Sequence, residues 1–352
     1  MTRSRFFWRA MLALLIGAVS GALANAIGLP LPWMLGPMIG TTIAALARAP
    51  IVAPLRLRDI FLPILGVMLG SSVNASLLSA LGQWGVTLAL LVPFGIATAL
   101  ASYWFFRRIG RYDPVTAFFS AMPGGLNDMV LMGGAEGGDE RRIAMAHAIR
   151  ILAVILLAVL FFGLALGVTS ASSAPPPLGL DQLTAQDWLI LGACALAGPP
   201  LARLLRLPAP VIVGPMLLSA AAHVGGLVVV GPPTLFIIVA QVVIGTLIGA
   251  RFVGTAIAQV GRDMLLGLGS SLLMIAVAVL FAMIVNRLTG TEISHAFLAY
   301  SPGGLTEMSL LALAMGQEVA YVSVMHVARI TLVVFAAPLA LPWLRRRQGA
   351  LS

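Results

Sequence analysis

The chain contains no lysine: all 21 of its basic side chains are arginine, which reflects base composition and not function. It has one cysteine, Cys194, inside an apolar segment, which excludes an intrachain disulfide and a thiolate metal cluster. Charged residues make up only 9% of the chain, where a soluble domain averages about 25%. No polar stretch is long enough for a separate soluble domain. The formal net charge is +9. Its arginines are dispersed in short loops between apolar runs, as cytoplasmic membrane loops require, and do not form a nucleic-acid face. Direct nucleic-acid binding is therefore not expected. Equally lacking are a His-x-x-Glu-His set, a Gly-x-Ser-x-Gly elbow, a phosphate loop and the clustered ligands of a copper or iron oxygenase. No catalytic residue, metal or cofactor is assigned on this basis.

What is present is apolar. Of 352 residues 60% are hydrophobic, and the mean hydropathy is +1.03. Long apolar runs recur from Arg9 to Trp343, so the expected class is an all-α polytopic membrane protein whose first partner is the lipid bilayer. Apolar cores can be drawn at 8–27, 33–47, 60–80, 84–106, 115–133, 143–168, 188–205, 211–228, 233–250, 264–286, 293–314 and 319–343. The basic start and Ala24-Asn25-Ala26 look like a cleavable leader. However, Trp188 to Gly198 matches Trp8 to Gly21, so the first segment is read as a membrane helix.

A duplicated motif organises these segments. Pro123-Gly124-Gly125-Leu126-Asn127-Asp128-Met129 recurs 179 residues later as Pro302-Gly303-Gly304-Leu305-Thr306-Glu307-Met308. Each copy is followed by His-x-x-Arg-Ile, at His147, Arg150 and Ile151 and at His326, Arg329 and Ile330. Pro32-Trp33-Met34-Leu35-Gly36-Pro37-Met38 matches Pro210-Val211-Ile212-Val213-Gly214-Pro215-Met216, and Gly66 and Gly70 match Gly245 and Gly249. The expected organisation is a first membrane repeat over 1–170, a polar linker over 171–187 and a second repeat over 188–352. Helix breakers, a carboxylate and an intramembrane Arg, duplicated together, mark the binding region of transporter-like repeats.

Charge decides between parallel and inverted repeats. If the Pro-Gly-Gly segments span, Arg141, Arg142, Arg203, Arg206, Arg251 and Arg262 fall outside. If they are re-entrant, each repeat has five transmembrane helices plus one broken segment, the repeats are inverted, and only Arg287 falls outside. The positive-inside bias favours inversion, with both termini cytoplasmic, in a bacterial inner membrane. Re-entrant backbone is tolerated where protein or a wet cavity surrounds it.

The candidate substrate- or ion-binding residues are Gly124, Gly125, Asn127, Asp128, His147 and Arg150, with Gly303, Gly304, Thr306, Glu307, His326 and Arg329. An Arg at membrane depth costs on the order of 3 kcal/mol or more and needs partners. Asp128 and Glu307 are the expected ones, either as packing salt bridges or as part of a site. Both carboxylates also sit three residues after a glycine, where they could cap the following half-helix. His147 and His326 share a face with their Arg and could relay protons or hold the loop. Gly36-Pro37 and Gly214-Pro215 are read as packing kinks or as lining of the same cavity.

Through the two Pro-x-(Met/Ile)-(Leu/Val)-Gly-Pro-Met segments and the two Pro-Gly-Gly…His-x-x-Arg blocks, the chain resembles the bacterial membrane AbrB-type family of duplicated integral membrane proteins. The resemblance covers essentially the whole chain. Members are labelled variously as ammonia monooxygenases or as regulators of gene expression, and it implies no agreed catalytic residues. Three functions are therefore carried forward. The first is a secondary-transporter-like protein moving a small solute, with an anion among the candidates, by alternating access. The second is a membrane-embedded regulator acting through a partner, and the third is a membrane oxidoreductase. The sequence also allows a homo-oligomer.

Overall fold

The computed structural model describes residues 3–29, 31–73, 84–161, 178–254 and 257–349. Within them the regular structure is helical, with no strand. The first half of the chain gives α1 (Arg3–Ala26), α2 (Pro32–Leu46), α3 (Arg58–Ser71), α4 (Gly85–Arg108), α5 (Pro114–Ala121), α6 (Leu126–Ala135) and α7 (Glu140–Leu160). The second half repeats this order: α8 (Ala185–Leu204), α9 (Pro210–Val224), α10 (Thr234–Gly249), α11 (Ile257–Thr289), α12 (Ile293–Tyr300), α13 (Leu305–Ala314) and α14 (Val319–Gly349). Each α-helix of one half thus has a counterpart in the other.

Among the described residues, six helical stretches are long and apolar enough to cross a membrane: Ser4–Ala26, Gly85–Arg108, Glu140–Leu160, Thr234–Phe252, Gly261–Thr289 and Val319–Ala336. The second and eighth apolar segments are shorter than a span. Their helices α2 and α9 have 15 residues each, roughly 22 Å against a hydrocarbon core of about 30 Å. The centre of the polar linker, Pro175 to Pro177, lies outside the described residues.

Two compact units emerge, and neither is one half of the sequence. One combines α1–α3 with α8–α10 and Ser309–Ala320; the other combines α4–α7 with α11, α12, Leu305–Met308 and α14 from Tyr321 onward. In the first unit the contacts are reciprocal. A Cβ on Gly66 would fall 2.5 Å from Ile212 O, and one on Gly245 would fall 2.4 Å from Met34 O, the matched pair. Thr41 Oγ1 donates to Thr246 O (3.4 Å) and Ser219 Oγ to Val67 O (2.8 Å), again matched positions. The same contacts are thus made in both directions between the two copies. Glycine is required here because the backbones touch. A Cβ on Gly36 would lie 2.3 Å from Ser20 O, and one on Gly214 would lie 2.0 Å from Gly198 O. The Gly-Pro pairs therefore serve close packing of α1 on α2 and of α8 on α9.

The second unit shows the same exchange with different chemistry. Arg142 approaches Asp263 (3.8 Å), and the matched residues Tyr321 and Trp84 meet edge to face with centroids 5.4 Å apart. Tyr112 lies in the polar version of this contact. Its hydroxyl donates to Asp263 (2.8 Å), and the Arg142 guanidinium lies 5.1 Å from its ring centroid. Burial, and then the Asp263 carboxylate, push the ionisation of Tyr112 above the usual tyrosine range.

Left-handed backbone positions are also paired between the halves. Leu31 matches Ala209, and Gly137 matches Gly316. In three further pairs glycine stands against arginine: Gly28 with Arg206, Gly226 with Arg48, and Gly290 with Arg111.

Candidate functional site

The first Pro-Gly-Gly break is the tip of a helical hairpin in the second unit. Asp113 caps α5 through Val115 N (3.0 Å) and Thr116 N (2.9 Å), with Pro114 at the first helical position. The helix stops after eight residues, where Met122 turns extended ahead of Pro123. Gly125 then opens α6. The two half-helices lie side by side. A Cβ on Gly133, late in α6, would sit 3.2 Å from Phe119 Cβ, and one on Gly138 would sit 3.0 Å from Val115 Cγ1. Asp139 N donates to Thr116 Oγ1 (2.8 Å), which ties the end of the hairpin to its start. Asp139 then caps α7 through Arg142 N (3.1 Å).

Arg150 lies on α7, 5% exposed, and reaches the tip of this hairpin. Its Nη1 donates to Met122 O (2.8 Å), and its Nη2 donates to Gly124 O (3.3 Å) and to His147 Nδ1 (2.7 Å). His147 is wholly buried and passes its Nε2–H to Phe119 O (2.8 Å). A guanidinium only donates and a carbonyl only accepts, so His147 is fixed as the neutral Nε2–H tautomer.

The second break repeats the arginine geometry. Arg329, 3% exposed on α14, donates from Nη1 to Ser301 O and from Nη2 to Gly303 O (2.5 Å). These acceptors lie 28 and 26 residues before the arginine, as Met122 and Gly124 do before Arg150. The histidine differs. His326 donates from Nδ1 to Val322 O (3.0 Å), one turn back on its own helix. The Nε–H groups of Arg150 and Arg329 are buried without a partner. A Cβ on Gly124 would lie 2.9 Å from Val333 Cγ1, so α14 also packs on the first break.

The expected direct ion pairs, Arg150 with Asp128 and Arg329 with Glu307, are not formed among the described residues. Helix polarity explains the change. Each break joins the C-terminal end of one half-helix to the N-terminal end of the next. The carboxylates turn to the positive end: Asp128 Oδ2 would lie 2.7 Å from a Cβ on Gly125, and Glu307 Oε2 would lie 2.0 Å from one on Gly304. The guanidiniums turn to the negative end, where carbonyls lack intrahelical donors. Asp128 is exposed, Glu307 half-buried and Thr306 buried at 9%; the side chain of Asn127 lies outside the described residues. Sequence reasoning missed the carbonyls of Phe119, Met122, Gly124, Ser301 and Gly303. The matched spacing of arginine and break was the available signal.

Chemically, each break offers a guanidinium solvated by neutral carbonyls. Carbonyl oxygens satisfy N–H donors but leave the net charge uncompensated.

Comparison with known proteins agrees in extent with the duplicated architecture. The profile of the family described as transition state regulatory protein AbrB matches residues 33–345. The chain is 30% identical over 349 residues to "Uncharacterized protein YhjN" of Bacillus subtilis (strain 168), covering 92% of this chain and 90% of that protein. It is 28% identical over 322 residues to "Putative regulator AbrB" of Escherichia coli (strain K12), covering 89% of this chain and 90% of that protein. A match running through both motif copies, and covering nearly all of both relatives, places this chain in the AbrB family.

Proposed function

We propose that the protein is an inner-membrane carrier that binds a small anion at its two Pro-Gly-Gly breaks and moves it by alternating access. The observation that carries this reading is the pair of buried guanidiniums held by neutral acceptors, the break carbonyls in both copies and His147 Nδ1 in the first. Two uncompensated charges in an apolar setting are costly, and an anion between them offsets that cost. The starts of α6 and α13 add partial positive charge beside the same breaks. The bound residues are Gly124, Gly125, Asn127, Asp128, His147 and Arg150, and in the other copy Gly303, Gly304, Thr306, Glu307, His326 and Arg329.

The repeats of this carrier are inverted. The glycine–arginine pairs support that orientation. Arginine in a left-handed position costs on the order of 1–2 kcal/mol where glycine does not. In the inverted topology Arg48, Arg111 and Arg206 all face the cytoplasm, and Gly28, Gly226 and Gly290 all face outward. Arginine replaces glycine only on the side where positive charge is wanted. The first break, whose hairpin begins and ends together, is re-entrant in this arrangement.

The name of the Escherichia coli relative favours a second reading, a membrane-embedded regulator that acts through a partner. Uptake separates the two. Purified protein in vesicles should accumulate at least one labelled small anion from a panel of oxoanions and carboxylates, driven by an anion, proton or sodium gradient. No flux across the panel, together with a stable partner co-purifying on the arginine-rich loops, would establish the regulator instead.

A further inference from the structure

We propose that the cavity between Arg9 and Arg48 binds the phosphate headgroup of an anionic phospholipid. The inference is independent of the carrier reading of the breaks. It takes from the proposed topology only the leaflet, which is the cytoplasmic one.

The cavity lies wholly within the first unit and holds about 430 Å³. Arg9 of α1 and Arg48, just past the end of α2, supply its charge. Ala45, Pro50, Ile51 and Val253 are among the apolar residues that line the rest, and among the described residues none that lines it is acidic. Two cations against apolar walls fit an anion with an apolar body: the phosphate answers the guanidiniums, and the glycerol and acyl roots cover the walls. Arginine suits phosphate in particular, because its planar fork presents two parallel N–H donors.

The depth is that of a headgroup. Arg9 follows the start of its apolar stretch, Ser4, by five residues, about 7.5 Å along the helix. Phe6, Phe7 and Trp8 beside it are exposed, as aromatic side chains are at the membrane–water interface.

Arg48 is not held there by the fold. Its backbone is left-handed (φ 61°), in the position after a helix that glycine usually takes. The carbonyls at the end of α2 are already covered by backbone donors, Arg48 N to Ala45 O (3.1 Å) and Ala49 N to Ala44 O (2.9 Å), so the side chain is not needed as a cap. The other copy supplies the contrast. At the offset that relates Gly36 to Gly214, Arg9 corresponds to Asp187 and Arg48 to Gly226. The equivalent corner has neither cation. A general bias of arginine toward one side needs no cavity, and these two arginines share one.

Lipid binding to the purified full-length protein, stripped of lipid in detergent, tests this. Native mass spectrometry compares phosphatidylglycerol with phosphatidylcholine, and the unfolding midpoint compares both with inorganic phosphate and glycerol 1-phosphate. Phosphatidylglycerol should bind about tenfold or more tightly than phosphatidylcholine, and the soluble phosphates should not protect at matching concentrations. Arg9→Gln and Arg48→Gly should each weaken phosphatidylglycerol about fivefold and leave phosphatidylcholine unchanged. Arg48→Gly relaxes a left-handed backbone, so the lipid-free midpoint should not fall. If Arg9→Gln does not fold, Arg48→Gly decides alone. The pair Arg203→Gln and Arg206→Gln removes the same charge away from the cavity and should change nothing. Equal affinity for the two lipids, a preference that survives the cavity variants, an equal loss in the Arg203 and Arg206 pair, or equal protection by the soluble phosphates would overturn the assignment. Failure of the topology is distinct: a cysteine beside Arg48 would react from outside intact cells, while the lipid preference and its loss in the variants would stand.

Discussion

Replacing Arg150 and Asp128 singly and together tests how the first break is held. Arg150→Leu removes the donor to Met122 O, Gly124 O and His147 Nδ1. Each buried carbonyl left unpaired costs about 1–3 kcal/mol, so the two carbonyls lose about 2–6 kcal/mol before relief of the guanidinium's own desolvation. Asp128 is exposed and serves the start of α6, so Asp128→Asn should cost at most about 1 kcal/mol. A direct buried ion pair would behave otherwise: breaking either side would cost about 3–5 kcal/mol, and the double variant would recover much of it. The expected result is additivity, with a coupling energy below about 1 kcal/mol. Unfolding can be followed in detergent with a thiol-reactive dye, because the single cysteine, Cys194, is buried at 6% exposure. A double variant markedly more stable than Arg150→Leu alone would refute the carbonyl-capping account and restore the ion pair.

The remaining predictions address packing, the polar contact and topology. Gly214→Ala drives a Cβ to 2.0 Å from Gly198 O and should destabilise by about 1–3 kcal/mol, whereas Gly192→Ala, with nothing within 4 Å, should be neutral or mildly stabilising, both read by the same dye assay. Because folding raises the ionisation of Tyr112, its contribution is complete below about pH 10 and is lost as pH rises above that value; Tyr112→Phe should flatten this alkaline fall in stability, and an unchanged profile would exclude it. In a Cys194→Ser background, cysteines introduced beside Arg48, Arg142 and Arg206 should resist an impermeant thiol reagent on intact cells, and cysteines beside Gly226 and Gly290 should react. Labelling beside Arg142 from outside would refute the inverted topology.

Much of this architecture was legible in the residues. The offset of the Pro-Gly-Gly and His-x-x-Arg blocks gave the duplication, and the low charge content gave the helical membrane class. Glycine and proline inside apolar runs located the breaks, because few other residues interrupt a helix. The partners of the arginines were not legible. A sequence displays Asp128 and Glu307 as opposite charges, but it does not display the carbonyls that a broken helix exposes, and those carbonyls hold Arg150 and Arg329. Nor does the repeat reveal how its parts assemble. Matched helices such as α3 and α10 join a unit with elements of the other copy because their glycines fit the backbones of α9 and α2. The divergence of His147 from His326 was hidden as well, since identical residues at equivalent positions chose different carbonyls.

The most direct test of the central claim is charge movement. Vesicles containing the protein, fixed on a conducting support and exposed to a step in the concentration of one small anion at a time, should give currents of the sign of inward negative charge. Arg150→Gln and Arg329→Gln, selected for preserved protection of Cys194, should lose them. Absence of both current and labelled-anion flux in the wild-type protein across oxoanions and carboxylates, or currents that persist in both glutamine variants, would contradict an anion carrier built on these two arginines.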